Sequence, residues 1–262
     1  TLRCVEKAGL EIVDIALQPL AAGSLVLSRD EKELGVALVD IGGGSTTVTM
    51  FEGGQLVSTA VLPVGGDTIT KDLSIVLRTT MEDAEKIKLK HGHAFYDDAS
   101  EDEIFHVPII GSDQKVPCNQ LMLAEIIEAR LIEVFELILN QLNRQGFKDI
   151  PSGFVLTGGV VKMPGLLELA QQTLRNRVRT AEPNYIGVRE PQFTTAVGLL
   201  KHALDKERMS GVSLSSTPAP IPAKQPETIP SRPVEKVAVP EKSKKEPNEK
   251  GKFKKLLGYF FE

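Results

Sequence analysis

Residues 40–47 read Asp-Ile-Gly-Gly-Gly-Ser-Thr-Thr at the end of the apolar run Val36–Ile41. Each part of that order has a chemical use. Glycine permits positive φ and lets backbone approach a ligand closely, and successive N–H groups in a turn form a concavity that suits phosphate. Gly42, Gly43 and Gly44 supply such a turn, and the Ser45 and Thr46 hydroxyls can add hydrogen bonds. Asp40 is placed for a hydrated Mg²⁺, which is commonly held by carboxylate and phosphate oxygens together. A tight turn that merely needs glycine would show the same letters. The spacing matches neither the Walker A loop nor the dinucleotide fingerprint, so on these residues alone both readings stay open.

Two further constellations bear on this one. A second apolar run, Gly153–Thr157, ends in Gly158-Gly159, and Pro164-Gly165 then opens a helical stretch. Paired glycines there would let backbone lie flat against a nucleoside, or would serve an ordinary strand-to-helix turn. Glu85 and Lys88 lie three residues apart in Met81–His91, where helical spacing puts them on one face. They could meet one ligand there, or form an ion pair on a solvated helix. His91, His93 and His106 lack zinc-site spacing and have no cysteine pair beside them. Cys4 and Cys118 read as small buried hydrophobes in a reducing compartment, with no disulfide framework.

These residues need elements to hold them. Glu11–Leu17 reads as a strand, Pro19–Leu27 as a helix and Gly35–Ile41 as a buried strand. Ser45–Gly54 and Gln55–Gly65 alternate around Gly53-Gly54, a hairpin signal. Met81–His91 reads as a helix stopped by Gly92, Glu103–Ile110 as a short strand, and Leu123–Gln145 as the longest helix. Gly153–Val160 reads as a strand, and Gly165–Arg175 and Phe193–Lys206 as helices. The class is α/β on a mixed sheet. The net charge of −4 argues against a nucleic-acid partner, and no apolar run approaches a membrane span. The acidic run Asp97, Asp98, Glu101, Asp102 and Glu103 reads as a solvated loop, with partner binding as the alternative.

The end of the chain has a different character. Eight of the 16 prolines fall between Pro218 and Pro247, in a stretch without aromatics. Such a composition cannot offset its ordering entropy and is expected to be a disordered linker. Beyond it, Phe253, Leu256, Leu257, Phe260 and Phe261 share one face of a helix, with Lys252 and Lys254 flanking it and Lys255 opposite. That is the layout of an in-plane anchor for an anionic membrane surface. Each lysine would contribute about 1 kcal/mol there, and a 40-residue tether would reach about 35 Å. Docking on its own domain or on a partner protein is the alternative.

Two strand–glycine motifs in this order, separated by a long helix and accompanied by Glu85 and Lys88, resemble those of the actin-like ATPase superfamily. Within it the sequence resembles the FtsA family of bacterial cell-division proteins. The carrying stretches are "ELGVALVDIGGGSTT", "LPVGGDTITKDLSIVLRTTMEDAEKIKLKHG", "GFVLTGGVVKMPGL", "PQFTTAVGLL" and "GKFKKLLGYFFE". The resemblance runs along the whole chain but over only the C-terminal part of the family's length. The first phosphate loop and a family-specific subdomain would lie upstream of Thr1.

The resemblance implies an actin-like (ribonuclease H-like) lobe with a smaller inserted α/β subdomain. Residues 1–33 would end the first lobe, and 34–71 and 121–208 would form the second lobe's sheet subdomain with a returning helix. Residues 72–120 would be the inserted subdomain, 209–250 the linker and 251–262 the membrane-targeting helix. ATP with Mg²⁺ would bind with Asp40 on the metal, residues 42–46 on phosphate, Gly158 and Gly159 on the nucleoside, and Glu85 and Lys88 on ribose or base. The protein would polymerise with itself and receive the C-terminal peptide of the tubulin-like division protein FtsZ on the smaller subdomain. It would thereby tether FtsZ filaments to the cytoplasmic face of the cell membrane at the division site. No general base is assignable, and ATP hydrolysis stays open. The alternatives are a soluble ATP-hydrolysing kinase or chaperone, against which the terminal helix argues, and a pilus or shape protein of the same superfamily. Without the first lobe, nucleotide affinity is expected to be poor.

Overall fold

A computed structural model describes residues 2–12, 14–112 and 114–210. The linker from residue 211 onward and the terminal amphipathic helix lie outside the described residues. In chain order the helices are α1 (Leu2–Lys7), α2 (Gln18–Val26), α3 (Arg29–Leu34), α4 (Gly66–Val76), α5 (Met81–His91), α6 (Gln120–Arg144), α7 (Leu166–Leu174) and α8 (Thr194–Ser210). The strands are β1 (Val36–Ile41), β2 (Thr46–Glu52), β3 (Gln55–Leu62), β4 (Ile104–Pro108), β5 (Lys115–Asn119), β6 (Phe154–Thr157) and β7 (Val178–Thr180).

Five strands form one mixed sheet in the order β3-β2-β1-β6-β7. The first three make an antiparallel meander, whereas β1, β6 and β7 run parallel. The turn between β2 and β3 is Gly53-Gly54, both at positive φ, as a tight two-residue hairpin requires. Strand β1 is buried on both faces, which explains its unbroken apolar run. Ala37, Val39 and Ile41 face the larger core, with residues of α4, α5, α6 and α7. Val36 and Leu38 face a smaller core with Ala22 of α2 and Phe51.

Helix α6 starts at Asn119, whose side chain accepts from the Met122 N–H. It buries Leu123, Ile127, Leu131, Val134, Phe135, Ile138 and Leu142 on one stripe. Between α5 and α6 lies a two-stranded antiparallel ribbon of β4 and β5. Helix α2 packs against α8 on the other side of the sheet from α6.

Two expectations are corrected. Glu11–Leu17 is not a strand: its described residues join neither sheet, and Ile15 and Leu17 are 72% and 62% exposed. Alternating apolar residues make a strand only where a sheet edge accepts them, and none does so here. Cys4 is exposed on α1, while Cys118 is buried as expected.

Candidate functional site

The parallel strands β1 and β6 point their C-terminal ends the same way, in register from Ala37–Phe154 to Asp40–Thr157. Both glycine motifs follow at that end, so the two loops become neighbours although more than a hundred residues separate them. Their approach is close. A Cβ on Gly158, at φ +98°, would stand 2.4 Å from the Ile41 carbonyl oxygen. The Gly42–Ser45 turn is closed by the Gly42 N–H donating to the Ser45 carbonyl at 3.0 Å. The N–H groups of Gly43, Gly44 and Ser45 have no hydrogen-bond partner among the described residues.

Helix α4 begins directly on this turn. The Gly66 and Asp67 N–H groups donate to the Gly42 and Gly43 carbonyls at 3.0 and 2.8 Å. Gly65 permits it, because a Cβ there would fall 2.4 Å from the Gly43 oxygen. The Asp67 carboxylate comes beside Gly43, so two carboxylates, Asp40 and Asp67, flank the turn. Asp40 is largely enclosed. Burial pushes its carboxyl up, and the Thr195 hydroxyl, donating to Oδ2 at 3.2 Å, pulls it back in part.

Helix α5 brings Lys88 and Glu85 to the first turn of α4. Lys88 is only 7% exposed. Its ammonium donates to the Gly66 carbonyl (3.0 Å), the Thr70 hydroxyl (2.8 Å) and Glu85 Oε2 (2.7 Å). The Thr70 hydroxyl in turn offers its proton to Glu85 Oε2 and to the Gly66 carbonyl, the latter at 3.0 Å. Burial raises the Glu85 carboxyl, but the bonds from Lys88 and Thr70 outweigh it and hold the group below its ordinary value.

A cleft of about 360 Å³ opens between these elements. It brings together Gly43, Glu85, Lys88 and Gly159 of the sequence-derived candidates. Leu89, Val160, Met163 and Pro164 add apolar wall, and Lys162, which pairs with Glu190 at 3.0 Å, lies at the margin with Gln192. Asp40, near the end of β1, and Gly42, Gly44, Ser45 and Gly158 of the supporting loops do not line the cleft. Thr46 is fully buried, and its hydroxyl donates to the Val64 carbonyl at 2.8 Å, so that oxygen faces the interior. The candidates at positions 252–261 lie outside the described residues.

Sequence reasoning missed Gly65, Gly66, Asp67 and Thr70. A glycine pair followed by Asp and an apolar spacing of three to four was the available signal for a helix starting there. Among the described residues no cluster of three or more His, Cys, Asp or Glu side chains could hold a metal. The described residues around the turn thus offer a divalent cation the carboxylates of Asp40 and Asp67, a set that fits Mg²⁺ carried in mainly on phosphate oxygens.

The family model described as "Cell division protein FtsA" matches residues 37–198. FtsA of Bacillus subtilis strain 168 is 50% identical over 275 residues, covering 100% of this chain and 62% of that protein. FtsA of Pseudomonas aeruginosa is 42% identical over 219 residues, covering 81% of this chain and 52% of its own length. The chain thus spans between about half and two thirds of these curated relatives. Among solved structures, MreB5 of Spiroplasma citri bound to ADP superposes with a TM-score of 0.64 at 16% identity, over 80% of this chain and 66% of that one. A chain of the PilM-PilN type IV pilus biogenesis complex superposes with a TM-score of 0.60 at 20% identity, over 78% of this chain and 56% of that one.

Proposed function

This chain belongs to the FtsA family of cell-division proteins and has the actin-like fold, and from that premise we propose that it is an ATP-binding cytoskeletal tether. ATP enters the cleft with its phosphates toward the unpartnered amides of Gly43, Gly44 and Ser45. Those amides are the observation that carries the reading, because three unpartnered N–H donors in one turn that borders the cleft at Gly43 suit an anion. Asp40 and Asp67 would repel a bare polyphosphate, so the nucleotide comes with Mg²⁺, which Asp40 helps to hold. When bound, the cation screens phosphate charge. Gly158 and Gly159 let the second loop lie close to the nucleoside, and Glu85 receives its hydroxyl groups. Thr46 acts through the turn and not through its hydroxyl, which Val64 occupies.

The chain self-associates into polymers. It holds the FtsZ C-terminal peptide and sits on the cytoplasmic face of the membrane at the division site through Lys252–Phe261. The groove between α4 and α6 suits the peptide. Ile75 and Val76 are 62% and 60% exposed there, beside Ile126 and Ala129, with Asp72, Arg130 and Glu133 as a charged rim. An apolar floor with charges around it is what a short amphipathic peptide needs.

One experiment tests the tether. A labelled FtsZ C-terminal peptide is sedimented with phosphatidylglycerol-rich vesicles, with the intact chain and with a chain ending at Glu249. The peptide should come down only with the intact chain. Equal recovery with both chains, or none with either, would reject the tether.

A further inference from the structure

The Lys88 ammonium has three N–H donors and three acceptors around it: the Gly66 carbonyl, the Thr70 hydroxyl and Glu85 Oε2. All three donors are thus engaged within the protein. The sequence expectation had both Glu85 and Lys88 reaching the nucleoside, and the bonding ties the two side chains together at the cleft. Glu85 lines the cleft, and its second oxygen, Oε1, carries no hydrogen bond among the described residues. A carboxylate oxygen without a partner, on a residue that lines the cleft, can accept hydroxyl protons.

At the centre stands Thr70, 3% exposed. Its hydroxyl accepts from Lys88 and offers its one proton to two acceptors, the Gly66 carbonyl at 3.0 Å and the Glu85 oxygen that Lys88 also holds. It sits one helical turn from Gly66, whose N–H is fixed by the Gly42 carbonyl and whose own carbonyl takes the Lys88 proton. One chain of hydrogen bonds therefore runs from the cleft-lining Glu85 through the buried Thr70 and Lys88 to the glycine turn. We propose that Thr70 is a positioning residue that, together with Lys88, aims the free oxygen of Glu85 at the ribose hydroxyls of a bound nucleotide. The proposal rests on the nucleotide reading above.

The test compares ATP with 2′,3′-dideoxy-ATP by calorimetry on the intact chain in Mg²⁺. The wild type should prefer ATP by about tenfold or more, the worth of hydrogen bonds to a charged acceptor. Thr70→Val keeps the shape of the side chain and deletes its hydroxyl, and the preference should collapse to near one. Thr70→Ser should keep it. A merely structural role would weaken both ligands together and leave their ratio intact, so an unchanged ratio in Thr70→Val overturns the proposal. So does a wild type that binds the two ligands equally. Because affinity is expected to be weak, the titrations run to millimolar nucleotide, and a wild type that binds neither ligand there overturns the nucleotide reading itself, and the proposal with it. Circular dichroism checks folding, and Thr70→Ala replaces Thr70→Val should the latter not fold.

Discussion

A Cβ placed on Gly158 would stand 2.5 Å from Asp40 Oδ1. The first glycine of one loop is thus the floor on which the carboxylate of the other rests. The parallel pairing of β1 with β6 sets this up by placing Asp40 opposite Thr157, one residue before Gly158. The Thr157 hydroxyl is tied to Thr194 at 2.6 Å, and the Asp40 carboxylate to Thr195, so the start of α8 buttresses both strand ends.

The two adjacent glycines should therefore respond differently to substitution. Gly158→Ala meets the Ile41 carbonyl, the Asp40 carboxylate and an unfavourable φ of +98° together. It should cost about 2–4 kcal/mol, as strain and a close contact combined. In Gly159→Ala the nearest atom is Gln192 Cβ at 3.9 Å, and stability should stay within about 0.5 kcal/mol. Urea unfolding of both variants measures the contrast. Equal losses would mean that the loops do not meet as described.

Asp40→Asn should make the nucleotide-free chain more stable and Mg²⁺-dependent binding weaker. Burial raises the Asp40 carboxyl, so its charged form is the disfavoured one in the folded chain. The resulting penalty is absent below the unfolded carboxylate value near 4 and grows as pH rises through the higher folded value. The amide removes this penalty at pH 7, for a gain on the order of 1 kcal/mol. The gain should vanish in melts near pH 4. A variant less stable at pH 7 would show that Asp40 is held by compensating bonds.

The sheet and the long helices were legible because burial wrote them into the sequence with a period. The unbroken run of β1 and the stripe of α6 have the only partners their patterns allow. What escaped was short or bound by context. Helix α3 is six residues fixed by a capping box between Ser28 and Glu31, with no apolar stripe. Strand β7 is Val-Arg-Thr, recruited by β6 alongside it. In the site, the glycine turns and the Glu85–Lys88 pair were readable as motifs. Thr70 was not, because its meaning comes from α4 and α5 crossing, which no local spacing records.

Glu31 should give the chain one identifiable acid-sensitive step. It caps α3 and holds Arg179 with two bonds, at 2.7 and 2.8 Å, joining α3 to β7. The Arg179 bond is the main reason its carboxyl lies below the ordinary value, with burial acting the other way. For a lowered carboxyl the stabilisation is complete above the unfolded value, near 4.3, and is lost as pH falls through the folded one. Glu31→Gln keeps the capping geometry but not the charge. It should cost about 1 kcal/mol at pH 7, a modest figure because Arg179 remains well exposed. The difference from wild type should shrink in urea melts taken from pH 5 down to pH 3. A constant difference across that range would remove the ion pair as its cause.

Ile75→Ala and Val76→Ala separate folding from docking at the α4–α6 groove. Both side chains are more than half exposed, so each truncation should change stability by under about 0.5 kcal/mol. A bound peptide would cover them, and each buried methylene is worth about 0.8 kcal/mol. Ile75→Ala should then weaken an FtsZ C-terminal peptide by about tenfold in fluorescence anisotropy, and Val76→Ala by somewhat less. The paired charges give an independent check. Arg130 holds Asp72 with bonds of 2.6 and 3.1 Å and also pairs with Glu133, so Arg130→Ala leaves two carboxylates without a cation on the rim. An acidic peptide should lose more affinity in that variant than a neutral one, and the loss should fade with salt. Unchanged affinity in all three variants would place the peptide elsewhere on the chain.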